Sequence, residues 1–558
     1  MNRRNFLKIT SPLALAPIAI NGFTARAFAP NALLNALSGA CDGIENRILV
    51  LVQIKGGNDG LNTIVPLNQY DTYAQLRPTI KLPEKGTNGL IALDNTLPLA
   101  DQVGLHPALT SFKNMYDSGQ MHIVQGVGYE QINKSHFKAT DLWLTGGDGT
   151  PENYNINSGW MGRYLAYTYP GVAGNPSTQM PDPLGIQLGD PKPSLGFHSE
   201  AEHATSINLS GQDPAGFYSL ISTIGGQPIS NMPNSDYGDQ LQYISDVEKN
   251  VSVYAERISA VFNAGQNLGT YPGETFAAQL KTVARLISGG CKTKIYLVQL
   301  GGFDTHNSQV DTADTTIGTH AELLTRLSQG IEAFYADLAL LKLADQVATV
   351  TFSEFGRKAA ENGNFGTDHG TLAPMFIFGN ALQAGVSGTN VNLSDLENGE
   401  QLKNPQHDYR QVFTTILQDW LGASGSCLTA TMFEEYQTQK LNILQSSTVV
   451  DPDCYIDTIA TSIDLPNNTA IGAAQMTVYP NPAQNIAWLQ LSSAINTEAQ
   501  LNICNMAGQV VQKRALSLQA GANLLPIGLN RVAAGNYIIQ VLTNDGQIAQ
   551  KTQLVVVK

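Results

Sequence analysis

The run Ile48–Ile54 reads Ile-Leu-Val-Leu-Val-Gln-Ile, apolar at odd and even positions alike. Side chains of a strand alternate between its two faces, so a strand with one wet face shows a polar residue at every second position. This run lacks that alternation and needs cover on both sides. Met121–Gln125, Lys294–Leu300, Gln346–Ser353 and Pro374–Phe378 have the same strand-like character. Within Ala321–Leu341, the residues Leu323, Leu324, Leu327, Ile331, Phe334, Leu338 and Leu341 recur at helical spacing and form an apolar stripe. Doubly buried strands interleaved with helices specify an α/β fold, a mostly parallel central sheet between helix layers. In such a sheet, functional groups gather at the C-terminal ends of the strands.

Three of these strands run straight into polar, glycine-rich segments. They are Gly56-Gly57-Asn58-Asp59-Gly60, Gly301-Gly302-Phe303-Asp304-Thr305-His306 and Ser353-Glu354-Phe355-Gly356-Arg357, with Gly366-Thr367-Asp368-His369-Gly370 close behind. Carboxylates and imidazoles at neighbouring strand ends supply ligands for a divalent cation, and glycine lets a substrate approach the backbone. Any one of these segments is explained by a turn. Four in one domain favour a site.

The chain begins Met-Asn-Arg-Arg-Asn-Phe-Leu-Lys and continues through a modestly apolar run to Ala27-Phe28-Ala29. This reads as a signal peptide over 1–29, cleaved after Ala29. Arg3-Arg4 with Phe6-Leu7-Lys8 resembles a twin-arginine box, and a general secretory signal is the alternative. No other stretch approaches the roughly 20 apolar residues that cross a bilayer, so no transmembrane anchor is expected. A leader linker then fills 30–45 and the α/β domain 46–425. A Gly/Pro/Asn-rich insertion lies at about 146–235, and a linker spans 426–474. From 475 to 558 short alternating strands with Gly, Asn and Pro between them predict a small β-sandwich. A formal charge of −14 and the lack of a Lys/Arg stripe argue against nucleic acid as a partner. The five cysteines, Cys41, Cys291, Cys427, Cys454 and Cys504, form no CxxC pair. Cys427 with Cys454 is the expected disulfide of an exported chain, and Cys504 is expected inside a strand.

Two resemblances extend this reading. Tyr479-Pro480-Asn481-Pro482, Asn505-Met506-Ala507-Gly508-Gln509-Val510-Val511 and Ala534-Gly535-Asn536-Tyr537 resemble, in order, the landmarks of the type IX secretion sorting domain. That implies the type IX machinery as a partner and an address at the cell surface or outside the cell. The segments Gly56–Asn62, Ser135-His136-Phe137, Gly301–His306, Ser353–Arg357, Gly366–Gly370, Asp408-Tyr409-Arg410 and Trp420-Leu421-Gly422 resemble the domain-of-unknown-function family 1501. That family is grouped with the alkaline phosphatase-like superfamily of phosphatases, phosphodiesterases, sulfatases and phosphomutases. The implied architecture is an alkaline phosphatase-like α/β/α sandwich.

By that resemblance Asp59 matches the first acidic ligand, and Leu144-Thr145-Gly146 places Ser135 or His136 at the nucleophile. Asp304 and His306 resemble the acid and histidine pair, at a shorter spacing than usual. Glu354 stands for a ligand aspartate and Phe355 for a histidine, which implies that one of two cation positions is weakened. Asp368-His369-Gly370 is a literal match to a ligand motif, with His369 best placed as the later His-Gly ligand. The implied metal set is therefore Asp59, Asp304, His306, Glu354, Asp368 and His369, holding one or two ions of zinc, manganese, magnesium or calcium. Ser135, His136 and Arg357 are the candidate catalytic groups, with Arg357, Lys134 or Lys358 facing a substrate oxyanion. His106, His122, His198, His203 and His320 read as structural or surface residues, and nothing assigns His407. The expected function is a secreted metal-dependent hydrolase of phosphate or sulfate esters, acting on a small anionic or glycan-linked substrate. The alternative is a non-catalytic surface protein that keeps the fold and binds a glycan or a protein.

Overall fold

The computed structural model describes residues 43–169, 180–199, 206–209, 254–456 and most of 476–557, together with Cys41, Pro214 and the short segments 18–20 and 23–25. The basic start, Ala29, His203 and much of the 146–235 insertion lie outside the described residues.

The apolar run at Ile48 becomes β1 (Ile48–Lys55), an inner strand of a nine-stranded sheet. The others are β2 (Met121–Gly128), β3 (Gly185–Gln187), β4 (Ser206–Asn208), β5 (Ile295–Gly301), β6 (Val347–Phe352), β7 (Ala373–Phe378), β8 (Gly385–Ser387) and β9 (His407–Asp408). Their order is β8-β2-β7-β6-β1-β5-β3-β4, with β9 beside β2. β1 pairs in parallel with β5 and β6, whereas β7 runs antiparallel to both its neighbours, β6 and β2. The sheet is thus mostly parallel with one reversed strand.

Both faces are covered, as the doubly apolar pattern requires. Ile48, Val50, Val52 and Ile54 of β1 enter one core cluster, while Leu49 and Leu51 enter another. The first cluster contains Phe112 of α1 (Thr110–Asp117). Phe276, Leu280 and Val283 of α4 (Thr275–Ser288), and Leu324, Leu327 and Ile331 of α5 (Thr319–Leu340), belong to it as well. The second contains Trp143 of α2 (His136–Thr145), Trp160 of α3 (Trp160–Thr168) and Tyr409 and Phe413 of α6 (Tyr409–Thr415). Each layer buries one face of the same strands, so the sheet is held by the hydrophobic effect acting from two sides. The stripe read along Ala321–Leu341 is the buried face of α5.

The C-terminal unit is built from antiparallel strands, β10 (Thr477–Tyr479), β11 (Ile486–Ser493), β12 (Thr497–Asn505), β13 (Val510–Leu518), β14 (Gly521–Gly528), β15 (Gly535–Thr543) and β16 (Ala549–Val556). They form a three-stranded sheet β10-β11-β14 and a four-stranded sheet β13-β12-β15-β16. Ala487, Leu489 and Leu491 alternate into its core, as do Leu501 with Ile503 and Ile539 with Val541. Cys504 is buried on β12.

The disulfide differs from the expected one. Cys454 is bonded to Cys41, with Cα atoms 5.4 Å apart, and not to Cys427. The helix Gly425–Thr431 turns Cys427 into the core beneath the sheet, with Sγ 3.6 Å from Thr168 Oγ1. Cys454 instead joins a separate small cluster with Ile44 and Val450, against which Cys41 packs. Nearness in sequence was misleading because the helix, not the spacing, decides where Cys427 points. Cys291, Cys427 and Cys504 are buried thiols. Alkylation of the oxidised native chain is therefore expected to label none of them, and denaturation without reductant to expose all three. Labelling of four or more thiols would reject the Cys41–Cys454 bridge.

Candidate metal centre

β1, β2, β5 and β6 run in one direction, so their C-terminal ends share an edge, and the reversed β7 starts from that edge. Asp304 follows β5, Glu354 follows β6, His369 precedes β7, and His136 opens α2 on the path out of β2. The topology thus brings together residues that are far apart in the chain.

Each of three imidazoles has one nitrogen already occupied. His136 Nδ1 lies 2.9 Å from Glu354 Oε1, His306 Nδ1 3.1 Å from Asp368 Oδ1, and His369 Nδ1 2.8 Å from the Lys134 carbonyl oxygen. A carbonyl or ionised carboxylate only accepts, so each Nδ1 carries a proton, and in the neutral ring each Nε2 keeps a bare lone pair. Those lone pairs converge. His306 Nε2 and His369 Nε2 are 2.9 Å apart, and Asp304 Oδ1 lies 3.2 Å from the first and 3.3 Å from the second. Asp304 Oδ2 is 3.4 Å from His136 Nε2, which is buried and has no hydrogen-bond partner among the described residues. Ligand atoms about 2.0–2.1 Å from a tetrahedral cation stand about 3.3 Å from one another. One ligand atom each from His136, Asp304 and His369 lies within 4.8 Å of the other two, a donor set that fits a cation, and His306 Nε2 stands beside His369 at its rim.

The surroundings hold this set in place. Arg357 is fully buried and donates from Nη2 to Asp304 Oδ1 at 2.6 Å, from Nε to the Gly57 carbonyl at 2.8 Å and from Nη1 to the Thr367 carbonyl at 2.9 Å. Burial opposes ionisation of Asp304, but the Arg357 hydrogen bond and charge hold its carboxyl below the ordinary value. The Glu354 hydrogen bond raises the pKa of His136, whereas burial lowers that of His369. Phe355, at the position where the resemblance implies a histidine, packs its ring 4.9 Å from His136 and 4.7 Å from His369. Gly57 has φ +80°, and a Cβ there would stand 2.3 Å from the Phe355 ring, so only glycine fits. Ser135 is the exposed N-cap residue of α2, directly before His136.

Asp59 lies apart from this cluster. Its two oxygens accept from Arg77 at 2.6 and 2.9 Å, and Gln309 Nε2 donates to Oδ2 at 2.6 Å. Burial raises the Asp59 pKa, but Arg77 outweighs it and keeps the carboxylate ionised. Gln309 Oε1 in turn accepts from Thr305 and Thr367, which tethers the buried pair to the loops carrying Asp304 and Asp368. Neither Arg77 nor Gln309 was singled out in the sequence, because a buried ion pair leaves no local pattern. Lys358 bonds to Glu400 at 2.7 Å and approaches Asp368 at 3.5 Å. His320 is buried with Nε2 3.1 Å from Asn58 Oδ1, His106 is buried with its ring edge-on to that of His320, His122 is bonded to Gln383 and Ser387, and His198 to Asn157. All four read as structural. Replacing Asp59 with Ala should lower stability by about 3–5 kcal/mol, since it strands a buried guanidinium, while metal content stays unchanged. Denaturant midpoints and metal analysis check this, and loss of metal without loss of stability would put Asp59 at the cation.

Residues 46–432 match the family described as "protein of unknown function (DUF1501)", and residues 477–557 match the secretion system C-terminal sorting domain. The sorting domain indicates export to the cell surface or secretion, and no helix among the described residues is long and apolar enough to cross a membrane. No curated protein matches the chain. Among solved structures, PorU from Porphyromonas gingivalis is 14% identical over 17% of this chain, with a TM-score of 0.14. The chain spans only 10% of PorU and 11% of PorZ from the same organism. A Bacteroides thetaiotaomicron protein of glycosaminoglycan metabolism is 9% identical, with 91% of this chain and 89% of that one covered and a TM-score of 0.31. An alkaline phosphatase superfamily protein from Vibrio parahaemolyticus is 8% identical, with 94% and 91% covered and a TM-score of 0.30.

Proposed function

The chain belongs to the DUF1501 family of proteins of unknown function, and we propose that it is an exported hydrolase of phosphate or sulfate esters that works with one divalent cation. The observation that carries this reading is the convergence of three bare Nε2 lone pairs on the Asp304 carboxylate, with His136 Nε2 left unpartnered. A set rich in imidazole suits zinc, whereas magnesium and calcium prefer oxygen ligands, so zinc is the ion proposed. Asp59, engaged by Arg77, stays outside, which favours one cation over two.

His136, Asp304 and His369 would hold the ion, with His306 Nε2 2.9 Å from His369 Nε2 beside them. When bound, it supplies a Lewis acid that polarises the ester and offsets charge developing in the transition state. Glu354, Asp368 and the Lys134 carbonyl fix the three rings in one tautomer, the role of outer partners in such sites. Arg357 keeps Asp304 ionised and aimed. Ser135, exposed beside His136, is the candidate nucleophile. The net reaction adds the oxygen of one water to phosphorus or sulfur and breaks its bond to the alcohol oxygen. One proton of the water ends on the alcohol and the other on the released anion or in solvent. The sorting domain hands the chain to the type IX machinery, and the Arg3-Arg4 start is read as its signal for leaving the cytoplasm.

The purified chain is expected to carry about one zinc, to lose it in His369→Ala, and to hydrolyse an aryl phosphate, phosphodiester or sulfate in a chelator-sensitive way. Glu354→Gln should weaken zinc binding about 10–100-fold while leaving the ligands themselves in place. A chain that binds no zinc and turns over none of the three esters is no such hydrolase.

A further inference from the structure

We infer that this centre selects esters with a single negative charge, phosphodiesters or sulfate monoesters, over doubly charged phosphate monoesters; the inference rests on the hydrolase reading above. It follows from the fixed charges around the site. Four carboxylates, Asp304, Glu354, Asp368 and Glu400, stand in one connected set of hydrogen bonds and ion pairs with two basic side chains, Arg357 and Lys358. The three histidines are neutral when each Nε2 faces a cation. An excess of two negative charges remains, which a divalent ion cancels.

Both basic side chains are already engaged. Arg357 has no exposed side-chain surface. Its Nη2 is spent on Asp304 and on the Phe303 and Gly56 carbonyls, and Nε and Nη1 donate to Gly57 and Thr367. The bidentate guanidinium that would clamp two oxygens of a dianion is therefore turned inward. Lys358 lies between Glu400 and Asp368. Lys134 remains, exposed and without an ion pair among the described residues, and its own carbonyl holds His369. A neutralised centre whose neighbouring backbone carries one unpaired, exposed lysine matches a monoanion. The second charge of a phosphate monoester would meet Asp304 and Asp368, whose side chains are 47% and 43% exposed, where the ion, Arg357 and Lys358 are already matched by carboxylates.

The test uses the zinc-loaded full chain at low salt and about pH 8.5, well above the second phosphate ionisation near 6. Phenylphosphonate and its monomethyl ester differ mainly in charge and are not turned over, so calorimetry reads their binding directly. The monoanion is expected to bind at least about tenfold tighter. Glu400→Gln, which removes one carboxylate and releases Lys358, should narrow that ratio several-fold. Methyl 4-nitrophenyl phosphate and 4-nitrophenyl sulfate, compared with 4-nitrophenyl phosphate, then show which monoanion is turned over. Equal or tighter binding of the dianion with zinc in place overturns this inference alone. Zinc bound with no ester hydrolysed, or no zinc bound at all, overturns the hydrolase reading and this one with it.

Discussion

One buried guanidinium organises the edge of the sheet. A charge without access to water is tolerated only where acceptors surround it, and Arg357 finds them on the segments after β1 and β5 and on the segment before β7. Each of those segments is irregular and would have many conformations alone. Withdrawing the Gly57 or Thr367 carbonyl would leave a buried donor unpaired, which ties the loops to a shared arrangement. The glycines are part of the same constraint. A Cβ on Gly56 would lie 2.4 Å from the Asp304 nitrogen, so the backbones meet only because that side chain is missing. Beneath them Arg77 and Asp59 form a second buried pair, joined to the same loops through Gln309.

That rigidity bears on chemistry. A ligand set is useful when its members are held before the ion arrives, since ordering them afterwards would subtract from affinity. At the proposed cation site the ordering is done by residues outside the ligand set. Glu354 receives the Gly56 amide as well as His136 Nδ1, so one carboxylate links the backbone after β1 to an imidazole on α2. Phe355 packs its ring against both the His136 and the His369 rings.

Much of this was legible in the sequence, for reasons that can be named. The doubly apolar Ile48–Ile54 implied a sheet covered on both faces, and the polar, glycine-rich segments behind three strands marked the working edge. His306, Asp304 and His369 stood out only because four acidic, imidazole and glycine segments recur in one domain, since any one of them is explained by a turn. The reversal of β7 was not legible, since a buried strand looks the same in either direction. Asp59 looked like Asp304, and only the arrival of Arg77 from eighteen residues later separates them. The inward turn of Arg357 was hidden too, because its acceptors are backbone carbonyls, which every residue has.

The bridge between Cys41 and Cys454 spans a sequence separation of 413 residues, nearly the whole α/β unit. Outside a cell, surface loops are exposed to proteases, and a single cut ordinarily lets the two pieces part once the protein breathes. Here one cut anywhere inside the bridged span opens a ring and not a chain. The pieces stay covalently joined, and the strands that carry Asp304 and His369 can find each other again without leaving the same molecule.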